Sequence, residues 1–284
     1  MSQKLSLLAL IVSLLTLFMV WFHPADQAAP KHKETAFEQV MRTNTLRCGY
    51  AIATPWFMID PQTNKMSGQS FDITNRIAEK IGLKVDWVEE TGWGVAEQGL
   101  ITGRYDMMCG SVCVDPRRDR VALYSQPYEH APMWPVVRKD DHRFDGGLES
   151  INQPHVRIGV KSGHVFEFIA KEQFPKAQLV YANDLSDDTD FLMMLMYKKI
   201  DVAFAGQITV DLYNKANGDG IRSTDQPARF CDGGFMMGLG EHDLKHMIDN
   251  ALMELNTSGE LERITARYMP VQEKYVRLPA EPFR

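Results

Sequence analysis

The chain has 284 residues, of which 44% are hydrophobic and 24% charged, the composition of a folded protein with room for one large or two modest domains. Its formal net charge of −6 is spread over both signs without long runs, so nothing supports binding to nucleic acid. The composition also excludes a fibrous or a largely disordered protein.

The N-terminal segment differs from the rest of the chain. Residues 5–22, LSLLALIVSLLTLFMVWF, carry no charge and follow Lys4, so we interpret them as a signal peptide or a signal anchor. Asp26 and Gln27 occupy the −3 positions of the two nearest alanine cleavage sites, which leaves retention as an inner-membrane tether open. Residues 1–37 are therefore assigned to a leader and a polar linker, and we expect the remainder to be exported to the periplasm.

Export determines how the cysteines are interpreted. Cys48, Cys109, Cys113 and Cys231 would enter an oxidising compartment, where up to two disulfides can form. Three pairings are formally possible, and the spacing does not choose among them. No Cys-x-x-Cys motif with a paired histidine cluster is present, so we predict no metal site.

Strand and helix patterns alternate after the linker. They predict a strand over 45–52, a helix over 71–82, a strand over 83–90, a short helix over 94–103 and a strand over 105–112. Alternation at this interval is typical of βαβ units on a parallel sheet.

A second block repeats the same order. It predicts a strand over 155–163, a helix over 164–174, a strand over 177–182, a helix over 188–199 and a strand over 200–206. Two α/β lobes of similar build follow from this repetition.

Two segments connect the blocks. Residues 132–141 are predicted to be a connecting strand and residues 229–240 a return strand, while residues 242–269 form two helices that break at Ser258 and Gly259. Two crossings imply a hinge. Because open α/β sheets bind ligands at the carboxyl ends of their strands, two facing lobes predict a cleft that can close on a small molecule.

Five segments, taken in order, are similar to those of one known family. They are a Gly-x-x-Phe-Asp helix opening with a Leu-x-Val strand (68–88), a Leu-x-x-Gly-x-x-Asp segment (100–111), a Tyr-Ser-x-Pro-Tyr box (124–128), a Gly-Val-x-x-Gly turn (158–163) and a C-terminal helix pair (255–269). From about residue 45 to residue 269, the sequence resembles the family 3 extracellular solute-binding proteins, the periplasmic receptors of amino-acid ABC transporters.

The resemblance implies a fold and a function. The fold would be the α/β, two-lobe, type II periplasmic-binding-protein-like fold, with two parallel-sheet lobes joined by two hinge strands. Residues 38–130 and 232–284 would form lobe 1, and residues 131–231 lobe 2. The function would be that of an exported receptor that closes on a small polar or anionic molecule, an amino acid or related carboxylate, and delivers it to an ABC transporter permease. No cofactor and no catalytic residue are implied, and a monomer is expected.

The same resemblance assigns the anion anchor. Arg118 lies six residues before the Tyr-Ser-x-Pro-Tyr box, where the family clamps the ligand carboxylate with an arginine. A guanidinium offers two parallel donors that match a carboxylate. Its neighbours Arg117 and Arg120 are predicted to lie on the surface.

Other positions on the first-lobe side of the cleft follow from the resemblance. Gly110 and Ser111 occupy positions where backbone and hydroxyl groups approach the ligand, whereas Cys113 replaces the usual hydroxyl residue. Trp93 and Trp56 are candidates for an aromatic wall against the ligand, with burial in the core as the alternative.

Departures from the family pattern fall mainly in lobe 2. Gly163 and His164 stand where a Gly-Thr-Thr turn is usual, and His164 is either a neutral or cationic ligand contact or a plain surface histidine. Gly206 lies five residues after Asp201, where the family places the carboxylate for the ligand ammonium. Glu97 is one candidate to replace that carboxylate.

Two alternative functions stay open. The first is an enzyme on the same scaffold, resembling the cyclohexadienyl dehydratases, which share the Cys-Gly-Ser turn of residues 109–111. Such an enzyme needs a general acid near residues 206–211, and Asp211 is the first carboxylate there. The second alternative is a membrane-tethered sensor or accessory protein that has lost the amino-acid site.

Overall fold

The structure is a computed structural model that describes residues 34–279. The leader predicted over residues 5–22 lies outside the described residues. None of the helices within 34–279 is both long and apolar enough to cross a membrane.

The helices of the described chain are α1 (Ala36–Thr43), α2 (Gln69–Lys80), α3 (Ala96–Thr102), α4 (Val165–Gln173), α5 (Asp188–Met196), α6 (Gln207–Asn217), α7 (His242–Thr257), α8 (Glu260–Tyr268) and α9 (Gln272–Tyr275). Two short 3-10 helices cover His142–Phe144 and Leu148–Ser150.

The strands are β1 (Thr45–Tyr50), β2 (Met58–Ile59), β3 (Met66–Ser67), β4 (Lys84–Glu90), β5 (Met107–Cys113), β6 (Ala122–Tyr124), β7 (Glu129–Arg138), β8 (Arg157–Val160), β9 (Gln178–Tyr181), β10 (Ala203–Gly206), β11 (Ile221–Ser223) and β12 (Arg229–Gly238).

The main sheet is mixed, whereas the sequence pattern predicted two parallel sheets. Its strand order is β10-β7-β12-β5-β1-β4, with β6 paired to β12 and β11 paired to β7. Strand β1 is parallel to β4 and β5, but β12 runs antiparallel to β5 and β7. The two predicted connecting strands correspond to β7 and β12. Both are part of the sheet, because each forms hydrogen bonds with neighbouring strands along both of its edges.

Each lobe has a core of its own. In the first lobe, α2, α7 and α8 pack on β1 and β5 through fully buried side chains that include Ile73, Ile77 and Leu255. In the second lobe, α4, α5 and α6 bury another cluster around Ile158 and Phe204. The lobe boundaries at residues 130 and 231 stay a prediction.

Helix α1 begins inside the segment assigned to the linker. Thr35 caps it: the Thr35 hydroxyl accepts a hydrogen bond from the Glu38 N–H at 3.1 Å, and the Glu38 carboxylate accepts one from the Thr35 N–H at 2.9 Å. This capping box is visible in the sequence as Thr-x-x-Glu, a signal for a helix start.

The four cysteines form two disulfides, one of the three pairings that the sequence left open. Cys48 on β1 bonds to Cys109 on β5, and Cys113 at the end of β5 bonds to Cys231 on β12. The Cα atoms are 5.5 Å and 5.2 Å apart, because each bond joins neighbouring strands of the main sheet.

Candidate functional site

A cleft lies where β5, β7, β10 and β12 meet the loops of both lobes. Its cavity has a volume of about 90 Å³. That is room for several water molecules or a small ligand, since one water occupies roughly 10–15 Å³ on the same measure. Eight of the nine predicted site residues line it: Trp56, Trp93, Gly110, Ser111, Cys113, Arg118, His164 and Gly206.

The wall of the cleft is aromatic. Besides the two predicted tryptophans, it carries five phenylalanines, which the sequence interpretation missed: Phe57, Phe166, Phe168, Phe191 and Phe204. The run His-Val-Phe-Glu-Phe that opens α4 contains two of them and could have signalled their presence. Such a wall favours a ligand with an apolar portion.

Arg118 is buried in the cleft, as predicted, but it already has partners. Its Nε atom lies 2.7 Å from the Glu97 carboxylate, and its Nη2 donates to the backbone carbonyl of Gly163. Glu97 was a candidate for the ligand ammonium; it lies against Arg118 instead, because opposite charges attract strongly where water is excluded. Gly163 does not line the cavity and contributes its carbonyl to this contact.

Arg117 is exposed, as predicted, and contacts two residues that line the cleft. Its Nη2 lies 2.6 Å from the Asp115 carboxylate, and its guanidinium stacks 4.4 Å from the centre of the Phe168 ring. Burial alone would raise the pKa of Asp115, but the hydrogen bonds from Arg117 outweigh it and lower that pKa.

Glu129, the first residue of β7, is a cleft residue that the sequence interpretation missed. Only 1% of it is exposed, and its Oε1 accepts hydrogen bonds from the Trp56 indole N–H at 2.6 Å and from the Ser111 hydroxyl. Its Oε2 is buried without a hydrogen-bond partner in the described part of the chain. Burial raises the pKa of this carboxyl, although the hydrogen bonds from Ser111 and Trp56 and the nearby Gln69 side chain oppose the shift.

The sequence did hold a signal for Glu129. It directly follows the Tyr-Ser-x-Pro-Tyr box and begins a largely apolar strand, where a buried acidic residue is unusual. Trp56 and Ser111 were predicted to contact the ligand. In the structure, the Trp56 indole N–H and the Ser111 hydroxyl donate hydrogen bonds to the Glu129 carboxyl instead.

Gly206 leaves space that Trp56 uses. A Cβ atom at residue 206 would lie 3.4 Å from Cη2 of the Trp56 ring. The indole therefore extends from Glu129 at its N–H end to Gly206 at its benzene end. A side chain at residue 206 would therefore begin in van der Waals contact with this ring.

His164 caps a helix and also lines the cavity, so its role as a ligand contact stays a prediction. Its Nδ1 accepts a hydrogen bond from the Phe166 N–H at 3.2 Å at the start of α4. The ring packs against Trp93, with centroids 4.9 Å apart. Burial, followed by the charges of Lys161 and Arg118, lowers the pKa of His164 well below its usual value, so the imidazole is neutral at pH 7.

Cys113 presents a disulfide to the cleft, together with Cys231. The position thus offers neither the hydroxyl usual in the family nor a thiol. The part of the chain that the structure describes holds no group of three or more His, Cys, Asp or Glu residues arranged to bind a metal ion.

Two lobes around an enclosed cleft, with β7 and β12 running between them, define a two-lobe ligand-binding protein. The chain belongs to the bacterial extracellular solute-binding proteins, family 3, which it matches over residues 46–271. The family assignment made from the sequence is therefore confirmed.

Several relatives and solved structures agree with this membership. The L-cystine-binding protein TcyA of Bacillus subtilis is 21% identical over 223 residues, which cover 75% of this chain and 76% of that protein. The cyclohexadienyl dehydratase of Pseudomonas aeruginosa is 22% identical, with 83% of this chain and 87% of that one covered.

Two crystal structures share the fold. The ancestral amino-acid-binding protein AncCDT-1, a precursor of cyclohexadienyl dehydratase, superposes with a TM-score of 0.73 at 22% identity, covering 82% of this chain and 99% of that one. The arginine-bound AbpA of Streptococcus pneumoniae gives a TM-score of 0.72 at 18% identity, covering 82% and 98%.

Proposed function

We propose that this protein is an exported receptor that closes on a small polar molecule, an amino acid or a related carboxylate, and delivers it to the permease of an ABC transporter. The observation that carries the proposal is the aromatic cleft lined by two buried ionisable side chains, those of Arg118 and Glu129. The amino-acid ligands in the names of its relatives point to the same ligand class.

Arg118 serves the ligand carboxylate in this proposal. Its guanidinium is held at the first-lobe side of the cleft and reaches the second lobe through the Gly163 carbonyl. A bound carboxylate competes with Glu97 for the same donors, so Arg118 couples ligand binding to the contact between the lobes.

A thermal-shift screen tests the proposal. The twenty amino acids, L-cystine and simple carboxylates are added to the purified protein, and a ligand at 100 times its Kd should stabilise it by about 2.7 kcal/mol. Arg118→Ala should weaken binding by about 30-fold or more, since removing one partner of a buried charge pair costs about 2–5 kcal/mol. Arg120→Ala is the control, because Arg120 is exposed two residues away. No stabilisation by any compound at millimolar concentration would contradict the ligand class.

Binding without turnover is part of the proposal, and a dehydratase is the second candidate. Glu129 favours that candidate, because a buried carboxyl with a raised pKa can act as a general acid. The assay is the formation of phenylpyruvate from prephenate, with Glu129→Gln as the inactive control. Product formation by the wild-type protein alone would replace the receptor function.

Export and tethering are tested at the N-terminus of the mature protein. A chain that starts after the leader and is released with the periplasmic fraction would fit a diffusible receptor. Recovery of Met1 or Ser2 in the membrane fraction would instead fit a tethered sensor or accessory protein.

A further inference from the structure

The charges in and around the cleft are unequally compensated. Three carboxylates there have a cationic neighbour: Asp115 lies 2.6 Å from Arg117, Glu97 lies 2.7 Å from Arg118, and Asp188 lies 3.6 Å from Lys161. Glu129 has two neutral donors on one oxygen and no hydrogen-bond partner on the other within the described residues. The charge missing from the cleft is therefore a positive one.

An uncompensated carboxylate at this depth is costly. Removing a charge from water costs several kcal/mol unless an opposite charge or a proton neutralises it. Burial accordingly favours the protonated form of Glu129 in the empty cleft, where the side chain of Gln69 also lies near the carboxyl.

The carboxyl is also held in a fixed position. The Trp56 indole N–H and the Ser111 hydroxyl both donate to Oε1, which fixes the plane of the group, and Glu129 itself lines the cavity. Preorganised acceptors of this kind bind a cation without having to reorganise first.

We propose that Glu129 is the subsite for a cationic group of the ligand, an ammonium on a small molecule whose apolar part contacts the aromatic wall. The inference rests on the proposed receptor function and adds a requirement to it: the ligand must carry an amine, whereas its carboxylate competes with Glu97 for Arg118. Binding of the amine to the ionised Glu129 displaces the proton that the empty site holds.

The side chains around Glu129 indicate that the released proton comes from Glu129 itself. Tyr128 precedes Glu129 and His130 follows it in the chain, and His130 Nδ1 lies 2.7 Å from the Asp232 carboxylate on β12. From the other elements, Ser111 and the side chains of Gln69 and Trp56 meet it without charge.

Matched ligand triplets test the inference. Each consists of an amino acid, the same molecule without its carboxylate and the same molecule without its amine. Suitable probes are L-phenylalanine, phenethylamine and 3-phenylpropionate; L-leucine, isopentylamine and 4-methylpentanoate; and L-cystine, cystamine and 3,3′-dithiodipropionate. Affinities are measured by calorimetry in two buffers of different ionisation enthalpy, at pH 5 and pH 8.

We expect members with an amine to bind and their amine-free counterparts to bind at least about 30-fold more weakly. Glu129→Gln should lose about the same factor for amines, whereas Glu149→Gln, the same change at an exposed site, should bind like the wild type. Wild-type binding should release more protons at pH 5 than at pH 8, and Glu129→Gln should release none at either pH.

Different results would contradict the Glu129 subsite and the receptor function. Equal affinity for an amine-free carboxylate, or wild-type affinity and proton release in Glu129→Gln, would overturn the Glu129 subsite and leave the receptor function standing. A panel in which no compound of any triplet binds would contradict the receptor function itself. The melting temperature of ligand-free Glu129→Gln shows whether this variant is folded, which distinguishes a loss of binding from a loss of fold. Proton release is measured on the wild-type protein, so that measurement does not depend on any variant.

Discussion

The two disulfides should contribute similarly to stability but differently to binding. Cys48–Cys109 closes a loop of 61 residues and Cys113–Cys231 one of 118, and the two loops do not overlap in sequence. The chain-entropy relation gives losses of about 4 kcal/mol and about 5 kcal/mol when the first and second bonds are removed, with measured values typically 2–5 kcal/mol. Because the loops are separate, the two losses should add.

The test replaces each pair by alanines and measures the free energy of unfolding in urea. Cys48 and Cys109 are fully buried in the first-lobe core, so their replacement should lower stability and leave the affinity for ligand unchanged. Cys113 and Cys231 line the cleft, so their replacement should lower stability and also weaken binding. The wild type treated with a reductant should lose both contributions.

Two results would refute this reasoning. An unchanged free energy of unfolding after either replacement would show that the bond contributes nothing to the native chain. Equal effects of both replacements on ligand affinity would show that the Cys113–Cys231 bond has no special place in the cleft.

Three further predictions follow from single residues. The Asp201 carboxylate is buried and accepts hydrogen bonds from Arg143 and Arg157, each at 2.9 Å. Asp201→Asn should lower the free energy of unfolding by about 3–5 kcal/mol, whereas Asp219→Asn, at an exposed ion pair, should lower it by about 0–1 kcal/mol. Equal losses in the two variants would refute a stabilising role for the buried carboxylate. Gly163→Ala should weaken binding and increase the radius of gyration in small-angle scattering, because a Cβ atom at residue 163 would lie only 2.6 Å from Gly94 Cα in the facing loop. Gly147 also has a positive φ, but no atom lies near its Cβ position, so Gly147→Ala should lower stability without weakening binding. Because burial raises the pKa of Glu129, the folded state binds this proton more tightly than the unfolded chain does. Wild-type stability relative to Glu129→Gln should therefore rise, by at most about 1.4 kcal/mol per pH unit, as the pH falls toward the ordinary glutamate pKa; a pH-independent difference would contradict the shift.

Much of the fold follows from local patterns. The spacing of Ile73 and Ile77 predicts the buried face of α2, and Gly259 marks the break between α7 and α8 as expected. The helix predicted over 188–199 ends at Met196, because Lys198 adopts a left-handed conformation and its N–H turns back to the Leu195 carbonyl.

Only some residues of the candidate site were predicted from the sequence. The family pattern led to Arg118 because its distance from the Tyr-Ser-x-Pro-Tyr box is a property of the chain itself. Glu129 directly follows the same box, but its role depends on contacts such as the one with Trp56, which lies 73 residues away along the chain.

The sequence by itself determined most of the helices and strands, the family and eight of the residues that line the cleft, because these depend on periodicity and on motifs within short stretches. Only the tertiary structure decided which cysteines pair, that Glu97 lies against Arg118, and that Glu129 is left without a cation. Those facts depend on contacts between distant residues, where burial sets the strength of each charge and the sheet register sets which side chains meet.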